Sequence, residues 1–419
     1  MLMVYFTIFD LPDEHASRVD SIFVVMAGRY NSIKSEGQEI FRCLVNDLKI
    51  LEKGIVINGE TVKAGLLAYC GDNLESHTVG GFQTHFHAGY VCRFCVINYK
   101  EIPEYVLSQY PHRWTKERYD ELALDLSPPE ESILELLEIE DDDDDEEIQD
   151  MDGDDLDKDE DAEDYAIDSD EEYEEEQVAV EEVGVRGRIR EKCIFNELNS
   201  FHAVTSFPPD IFHDLLGGVS QDCMGYVRVL ELENSIMIKN INDRILNLPI
   251  SIGSETPALL KDVRKTKKSE NLPGKGMQNY AFLLVFPYLV EDWMKDEEDT
   301  VFKCIRLLSQ IIEMSFSNSF TDTDVDVLDA LIATYFRSRN EVNTMYPGHL
   351  PKIKPKHHFL THMPENILQF GPPICSWTAR FEAKHRLVVN LMEAAKNFRN
   401  TPKTICERLV LRKGIVLLV

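Results

Sequence analysis

Leu66-Leu-Ala-Tyr-Cys70-Gly71-Asp72-Asn73, followed further on by Cys92-Arg-Phe-Cys95, is the stretch on which the reading of this chain turns. The first segment is an apolar run that ends in Gly-Asp-Asn. An acidic residue just beyond a buried strand stands where open α/β sheets place ligand-binding groups. The same three residues are also ordinary turn chemistry, so Asp72 has a bland reading beside the functional one. A Cys-x-x-Cys pair is a metal half-site or a redox motif. No thioredoxin-like context surrounds Cys92 and Cys95, which favours metal. Four-coordinate zinc needs two further ligands. Lys356-His357-His358-Phe-Leu-Thr-His362 supplies them, either as His358 with His362 or as His357 with His362. The expectation is a structural Cys2His2 zinc that clips two distant segments together. His77, His85 and His87 lie closer to Cys92 in sequence and compete as ligands.

Upstream of this stretch, Val4-Tyr-Phe-Thr-Ile-Phe9 and Ser21-Ile-Phe-Val-Val-Met26 read as strands. Ile40, Phe41, Leu44, Val45, Leu48 and Leu51 form a helical stripe that Gly54 ends. Ile55-Val-Ile57, Asn58-Gly59 and the run from Thr61 to Cys70 read as a hairpin, because Asn-Gly suits a type I′ turn. Together these elements predict a mixed α/β sheet over residues 1–127. Downstream, residues 186–350 read as a mostly helical region, with helices over 222–239, 279–295, 300–316 and 322–339. Residues 351–419 carry the histidines and a further helix over 380–398.

Between these regions the charge changes. The 419 residues carry 75 acidic and 43 basic groups, a net charge of −32. From Glu138 to Glu182, 28 residues are acidic and Lys158 alone is basic, which puts −27 into 45 residues. Like charges at that density repel, and little apolar surface offsets the ordering entropy. The expectation for 128–185 is a disordered acidic tract. The rest is near neutral and, with 43% hydrophobic residues overall, able to bury a large core. No apolar run reaches the ~18 residues of a membrane span. The N-terminus lacks the basic start of a signal peptide. Nine cysteines with one close pair fit a reducing compartment. The expected location is nuclear or intracellular, not secreted.

Two further segments carry candidate chemistry. Trp377-Thr-Ala-Arg-Phe-Glu382-Ala-Lys-His385 places Glu382 early in a helix, where the dipole favours a carboxylate. Its functional reading is a metal-binding partner of Asp72, since paired carboxylates holding Mg²⁺ serve phosphoryl transfer. Phe207-Pro-Pro-Asp210-Ile-Phe-His213-Asp214-Leu-Leu-Gly-Gly218 reads as a helix start with Asp210 as a possible cap, and capping and packing account for most of His213 and Asp214. The basic stretches Arg264–Lys268 with Lys275, Lys352–Lys356 and Arg186–Arg190 are weak phosphate-binding signals.

Five blocks in order, Ala68–Phe82, Cys92–Cys95, Phe207–Leu216, Lys356–Glu365 and Ser376–His385, resemble transposon-derived proteins related to DNA transposases of the CACTA, Mirage and Chapaev kind. The V(D)J recombinase catalytic subunit has a similar order of elements. The resemblance spans about residues 3–415 around the acidic tract. It implies an RNase H-like fold with a large helical insertion, and a DDE triad whose second Asp is Asp72 and whose Glu is Glu382. It implies structural zinc on Cys92 and Cys95 with His357 or His358 and His362, catalytic Mg²⁺, and DNA as the ancestral partner. The chain departs from that pattern in three places. It opens at what looks like the third strand, without the block carrying the first triad Asp; Asp10 and Asp20 sit in the wrong block. Gly217 stands where relatives usually have Glu, and the usual N-terminal DNA-recognition module is absent. The expectation is a degenerate transposase-derived protein with little or no strand transfer. The rival expectation is a non-enzymatic nuclear protein whose acidic tract attracts histones or other basic partners.

Overall fold

The computed structural model describes residues 2–11, 18–28, 37–103, 113–124, 189–234, 236–248, 255–261, 271–294, 296, 298–395 and 400–416. The acidic tract and the Arg264–Lys268 stretch lie outside these residues. Strands β1 (Leu2–Phe6) and β2 (Phe23–Gly28) pair antiparallel, with Leu2 opposite Gly28 and Phe6 opposite Phe23. Helix α1 (Arg42–Lys53) ends at Gly54, whose φ of 111° is open to glycine. The hairpin that follows has β3 (Ile55–Ile57) and β4 (Glu60–Val62) on either side of Asn58 and Gly59. Both turn residues have positive φ, 51° and 88°, as a type I′ turn demands.

Beyond Val62 the expected strand does not continue to Cys70. The chain there is held by a loop rather than by a neighbouring strand: Leu66 N–H donates to Ser200 Oγ (3.0 Å) and Tyr69 N–H to the Ser206 carbonyl (2.8 Å). The described strands therefore form two separate antiparallel ribbons, not the single mixed sheet read from the sequence. The mixed α/β character holds, with helix predominating. Helix α2 (Asn73–Gly80) starts at Asp72 and ends at Gly81. Helix α3 (Lys116–Leu124) closes the N-terminal part.

After residue 189 the elements are helical. They are a π-type turn at Phe212–Leu216, α4 (Asp222–Asn234), α5 (Ile238–Leu246), α6 (Gly276–Val290), α7 (Thr300–Ser315) and α8 (Asp322–Met345). The helix expected over 222–239 is divided into α4 and α5. The one expected to end at Arg339 runs on to Met345, because Val342 continues the buried face of Leu328, Ile332, Tyr335 and Phe336. Side chains fix two of the helix starts: Asp299 Oδ1 accepts from Phe302 N–H (2.9 Å), and Thr321 forms a capping box with Asp324. The last elements are α9 (Pro355–Leu360), α10 (Met363–Phe370), α11 (Ala379–Ala395) and α12 (Thr401–Val416).

Apolar burial divides into a large helical core and a smaller one. The large core joins α4 to α8 with α9 and α10, and it includes Cys92 and Cys95. The smaller one gathers Phe41, Val45, Tyr69, Phe82 and Trp114 with residues from the 189–207 segment, such as Phe195 and Phe207. A minor cluster of Val388, Met392 and Ile405 seats α11 and α12 on Met3 and Tyr5 of β1. The Cys-x-x-Cys loop lies where the two main cores meet: Trp114 of the smaller core donates Nε1–H to the Cys92 carbonyl (3.1 Å). No helix among the described residues is long and apolar enough to cross a membrane.

Candidate metal centre and carboxylate site

The loop holding Cys92 and Cys95 is folded back on itself. Phe94 N–H donates to Cys92 Sγ (3.3 Å), Trp114 N–H donates to the Phe94 carbonyl (3.2 Å), and Cys95 bridges to Arg113. Facing it is α9, a short helix started by Pro355 at its first turn, where a missing N–H is harmless. His358 Nε2 lies 3.1 Å from Cys95 Sγ, and His362 Nε2 lies 3.4 Å from Cys92 Sγ. The two imidazole nitrogens are 3.0 Å apart. All four side chains are buried, and their ligand atoms fall within 4.8 Å of one another.

Two thiols and two imidazoles gathered on one point fit a metal ion such as zinc, which is four-coordinate with sulfur and nitrogen ligands. The electrostatics agree with that fit. Burial lowers His362 to about 4, which leaves the ring neutral and able to ligate. Burial opposes ionisation of Cys92, but the Cys95 hydrogen bond and the two histidines outweigh it and hold this thiol well below its ordinary value. Cys95 is pushed up, by burial first and then by Cys92. The pair therefore shares a proton that a metal ion has to displace. Phe94 and Phe359 flank the cluster and keep water from it.

His357 is not part of the cluster. Successive residues on a helix point about 100° apart, whereas residues four apart share a face. Thus His358 on α9, joined by His362 from the turn that leads into α10, faces the cysteines, and His357 turns to Asp222, with Nε2 3.3 Å from each carboxylate oxygen. Asp222 is fully buried and also accepts from Arg339 (2.6 and 2.9 Å) and from Tyr335 Oη (2.7 Å). Burial works against its charge, yet Arg339 and His357 hold the carboxyl well below the usual range. His77 also lies apart: its Nδ1 contacts the Gln83 carbonyl (2.7 Å), and its ring packs on Phe82, Phe86 and Phe359. Neither His85 nor His87 joins the cluster.

Sequence reasoning passed over Arg93 and Arg113. Arg93, between the two cysteines, is 1% exposed. It donates to Asn73 Oδ1 (2.8 Å) and to the carbonyls of Pro208 (3.1 Å) and Phe207 (3.4 Å). It thereby ties the metal loop to Asp72-Asn73 and to the Pro-Pro-Asp segment. Arg113 contacts His362 Nδ1 and ion-pairs with Glu365. An arginine between two metal cysteines is a detectable signal, whereas the position of Arg113 depends on the fold.

Asp72 is the N-cap of α2, and its Oδ1 accepts from Glu75 N–H (2.7 Å). The turn reading is thus realised as a helix cap. Glu382 stands in the first turn of α11 with its side chain half exposed. The group next to Glu382 is His213. Its Nδ1 lies 2.5 Å from Asp210 Oδ2, and its Nε2 lies 3.6 Å from Glu382 Oε1. Buried Asp210 is held in turn by Thr378 Oγ1 (2.5 Å) and the backbone N–H groups of Thr378 and Phe212 (3.1 Å each). Burial raises the Glu382 carboxyl, with Asp210 and Asp72 adding to the rise. For His213 burial opposes the charge, but Asp210 first, then Glu382 and Asp72, raise the ring above its ordinary value. Asp72 thus acts electrostatically on both His213 and Glu382, more weakly than Asp210 does. Compared with known proteins, the chain matches no protein-family model and no curated protein.

Proposed function

We propose that the chain is a transposase-derived protein with an RNase H-like core, ancestrally a DNA strand-cleaving and strand-joining enzyme that used two Mg²⁺ ions on Asp, Asp and Glu. The observation that carries this reading is the buried cluster of Cys92, Cys95, His358 and His362. It joins the Cys92–Cys95 loop, which follows Asp72 in the chain, to the His358–His362 segment, which precedes Glu382, and that agrees with the order of parts the five sequence blocks imply. The mixed α/β content and the shared surroundings of Asp72 and Glu382 support the reading further. Zinc at the cluster supplies a cross-link, not chemistry. In this reading Asp72 is engaged as the cap of α2 and Glu382 faces the His213 ring at 3.6 Å, which leaves the two carboxylates poorly placed to hold two Mg²⁺ ions. This polypeptide alone therefore carries out little or no strand transfer.

Incubation of the purified chain with supercoiled plasmid and Mg²⁺ tests this. Nicking at background level, equal in wild type and Asp72→Ala, is expected. Mg²⁺-dependent nicking abolished by Asp72→Ala or Glu382→Ala contradicts the inactivity. A second reading, a nuclear scaffold that binds basic proteins, is favoured by the −27 charge between Glu138 and Glu182. In that reading histones or similar basic partners are the ligands.

A further inference from the structure

The two imidazoles of the Cys2His2 cluster each have a second nitrogen, Nδ1. An imidazole that holds a metal through Nε2 carries a hydrogen on Nδ1, and that hydrogen ordinarily goes to a carboxylate or a carbonyl. His358 Nδ1 is buried with no hydrogen-bond partner among the described residues. His362 Nδ1 has a partner of the wrong kind. It meets Nη1 of Arg113, and a guanidinium offers hydrogens and no acceptor. An Arg113 hydrogen on Nδ1 fits the tautomer whose own hydrogen sits on Nε2, the nitrogen that faces Cys92 Sγ at 3.4 Å. That tautomer has no lone pair on Nε2 for an ion. With Nε2 on a metal the ring hydrogen moves to Nδ1, and two donors then face one another across the Arg113 contact.

The remedy lies on the same guanidinium. Arg113 Nη2 pairs with Glu365 Oε2, so one planar group touches both the ligand ring and a carboxylate. His362 is the N-cap of α10, and Glu365 is the third residue of that helix. A glutamate there reaches back toward the N-cap residue, as in a capping box. The backbone N–H of His362 already donates to the Phe359 carbonyl (3.0 Å), which leaves the ring as the donor for Glu365 to meet. The side chains of Arg113 and Glu365 are 31% and 58% exposed, so both turn without disturbing the core. Arg113 is also a fixed positive charge beside a site suited to a cation, and a carboxylate between the two lowers that repulsion.

We propose that Glu365 is the positioning residue of the metal centre: it accepts the Nδ1–H of His362 when Nε2 holds the ion, and Arg113 leaves the ring while keeping its ion pair with that carboxylate. The inference rests on reading the cluster as a metal site and involves neither Asp72 nor Glu382. A carboxylate behind the imidazole fixes the ligating tautomer and makes Nε2 the stronger donor to the ion. Direct contact with Arg113 favours the other tautomer. The two side chains therefore act on the ion in opposite directions.

The test is a competition for Zn²⁺ between the purified full-length chain and a chromophoric chelator, run on wild type, Glu365→Gln, Arg113→Gln and the double variant. Glu365→Gln, on an exposed side chain, is expected to bind zinc about 10- to 100-fold more weakly, the range for losing a carboxylate behind a ligating histidine. Arg113→Gln is expected to bind at least as tightly as wild type, and the double variant as weakly as Glu365→Gln. Single variants that weaken zinc alike would mark a plain structural ion pair and overturn the proposal. So does Glu365→Gln with wild-type affinity, or a double variant that regains it. Proton–nitrogen spectra of the zinc-loaded chain with labelled histidine add a signature that a structural pair leaves alone. A hydrogen-bonded Nδ1–H is expected to persist in Arg113→Gln and to be lost in Glu365→Gln; its persistence in both overturns the assignment. A wild-type chain that takes up no zinc overturns the metal centre and this inference together, whereas tight zinc indifferent to Glu365 overturns the inference alone.

Discussion

His357 and His358 are adjacent in sequence and serve opposite sides of one short helix. His358 belongs with Cys95, and His357 with the buried Asp222–Arg339 pair. His357→Ala should keep zinc at the wild-type level, while Ala at His358 or His362 should lose it, as read by elemental analysis. Asp222→Ala leaves Arg339 buried without its carboxylate. It should destabilise the protein by about 3–5 kcal/mol in a denaturant titration, the range for breaking a buried ion pair from one side. Asp214 acts in the other sense. It is fully buried, one oxygen accepts from Asn73 (2.6 Å), and Oδ2 has no hydrogen-bond partner among the described residues. Burial first of all raises its pKa to about 6 against the ordinary value of 3.8. The folded protein then binds a proton more readily than the unfolded chain, so this group's contribution to stability falls as pH rises from about 4 to about 6. A two-unit shift corresponds to roughly 3 kcal/mol. Asp214→Asn should flatten that part of the stability–pH curve and be neutral or stabilising at pH 7, whereas an unchanged curve contradicts the assignment. The two halves of the Cys2His2 cluster were legible at this scale, since residue type and spacing carry the ligand chemistry. The choice between His357 and His358 was not, because both spacings suit a metal and only the position of Asp222 separates them.

Elements followed the local signals where those signals are physical constraints. Asn58-Gly59 formed its turn, Gly54 ended α1, and the apolar periodicity of α7 and α8 was realised as buried faces. The failure was the run from Thr61 to Cys70, which has strand composition but pairs with loop groups at Ser200 and Ser206. Composition reports a preference for extended backbone and cannot name the partner. Gly81 is a second place where partners decide. Its φ is 72°, and a Cβ there would lie 2.0 Å from the Glu191 carbonyl oxygen. Gly81→Ala should cost more than about 1 kcal/mol of stability, beyond the left-handed penalty alone. It should also loosen α2, whose first residues carry Asp72 and Asn73. A thermal midpoint equal to wild type would contradict the close approach.

On the scale of the whole molecule, two apolar cores meet at the loop of Cys92 and Cys95, and His358 on α9 with His362 in the turn before α10 close it from the helical side. Arg93 extends the same junction toward Asp72. The charge of −27 between Glu138 and Glu182 bears on the second reading. Deleting residues 138–182 should abolish salt-sensitive histone binding if that tract recruits basic partners; binding that persists, or that ignores salt, contradicts it. The five sequence blocks were informative about which segments assemble, because they contain the ligands and carboxylates. They were silent on the ring of His213 lying between Asp210 and Glu382, which takes two separate segments to bring together. The most direct test of the account is the metal content of the purified full-length chain. One equivalent of tightly held zinc, lost in Cys92→Ser and in His362→Ala together with a fall in thermal stability, is the predicted result. Full-length protein that folds with no zinc, or zinc that survives both substitutions, would contradict it.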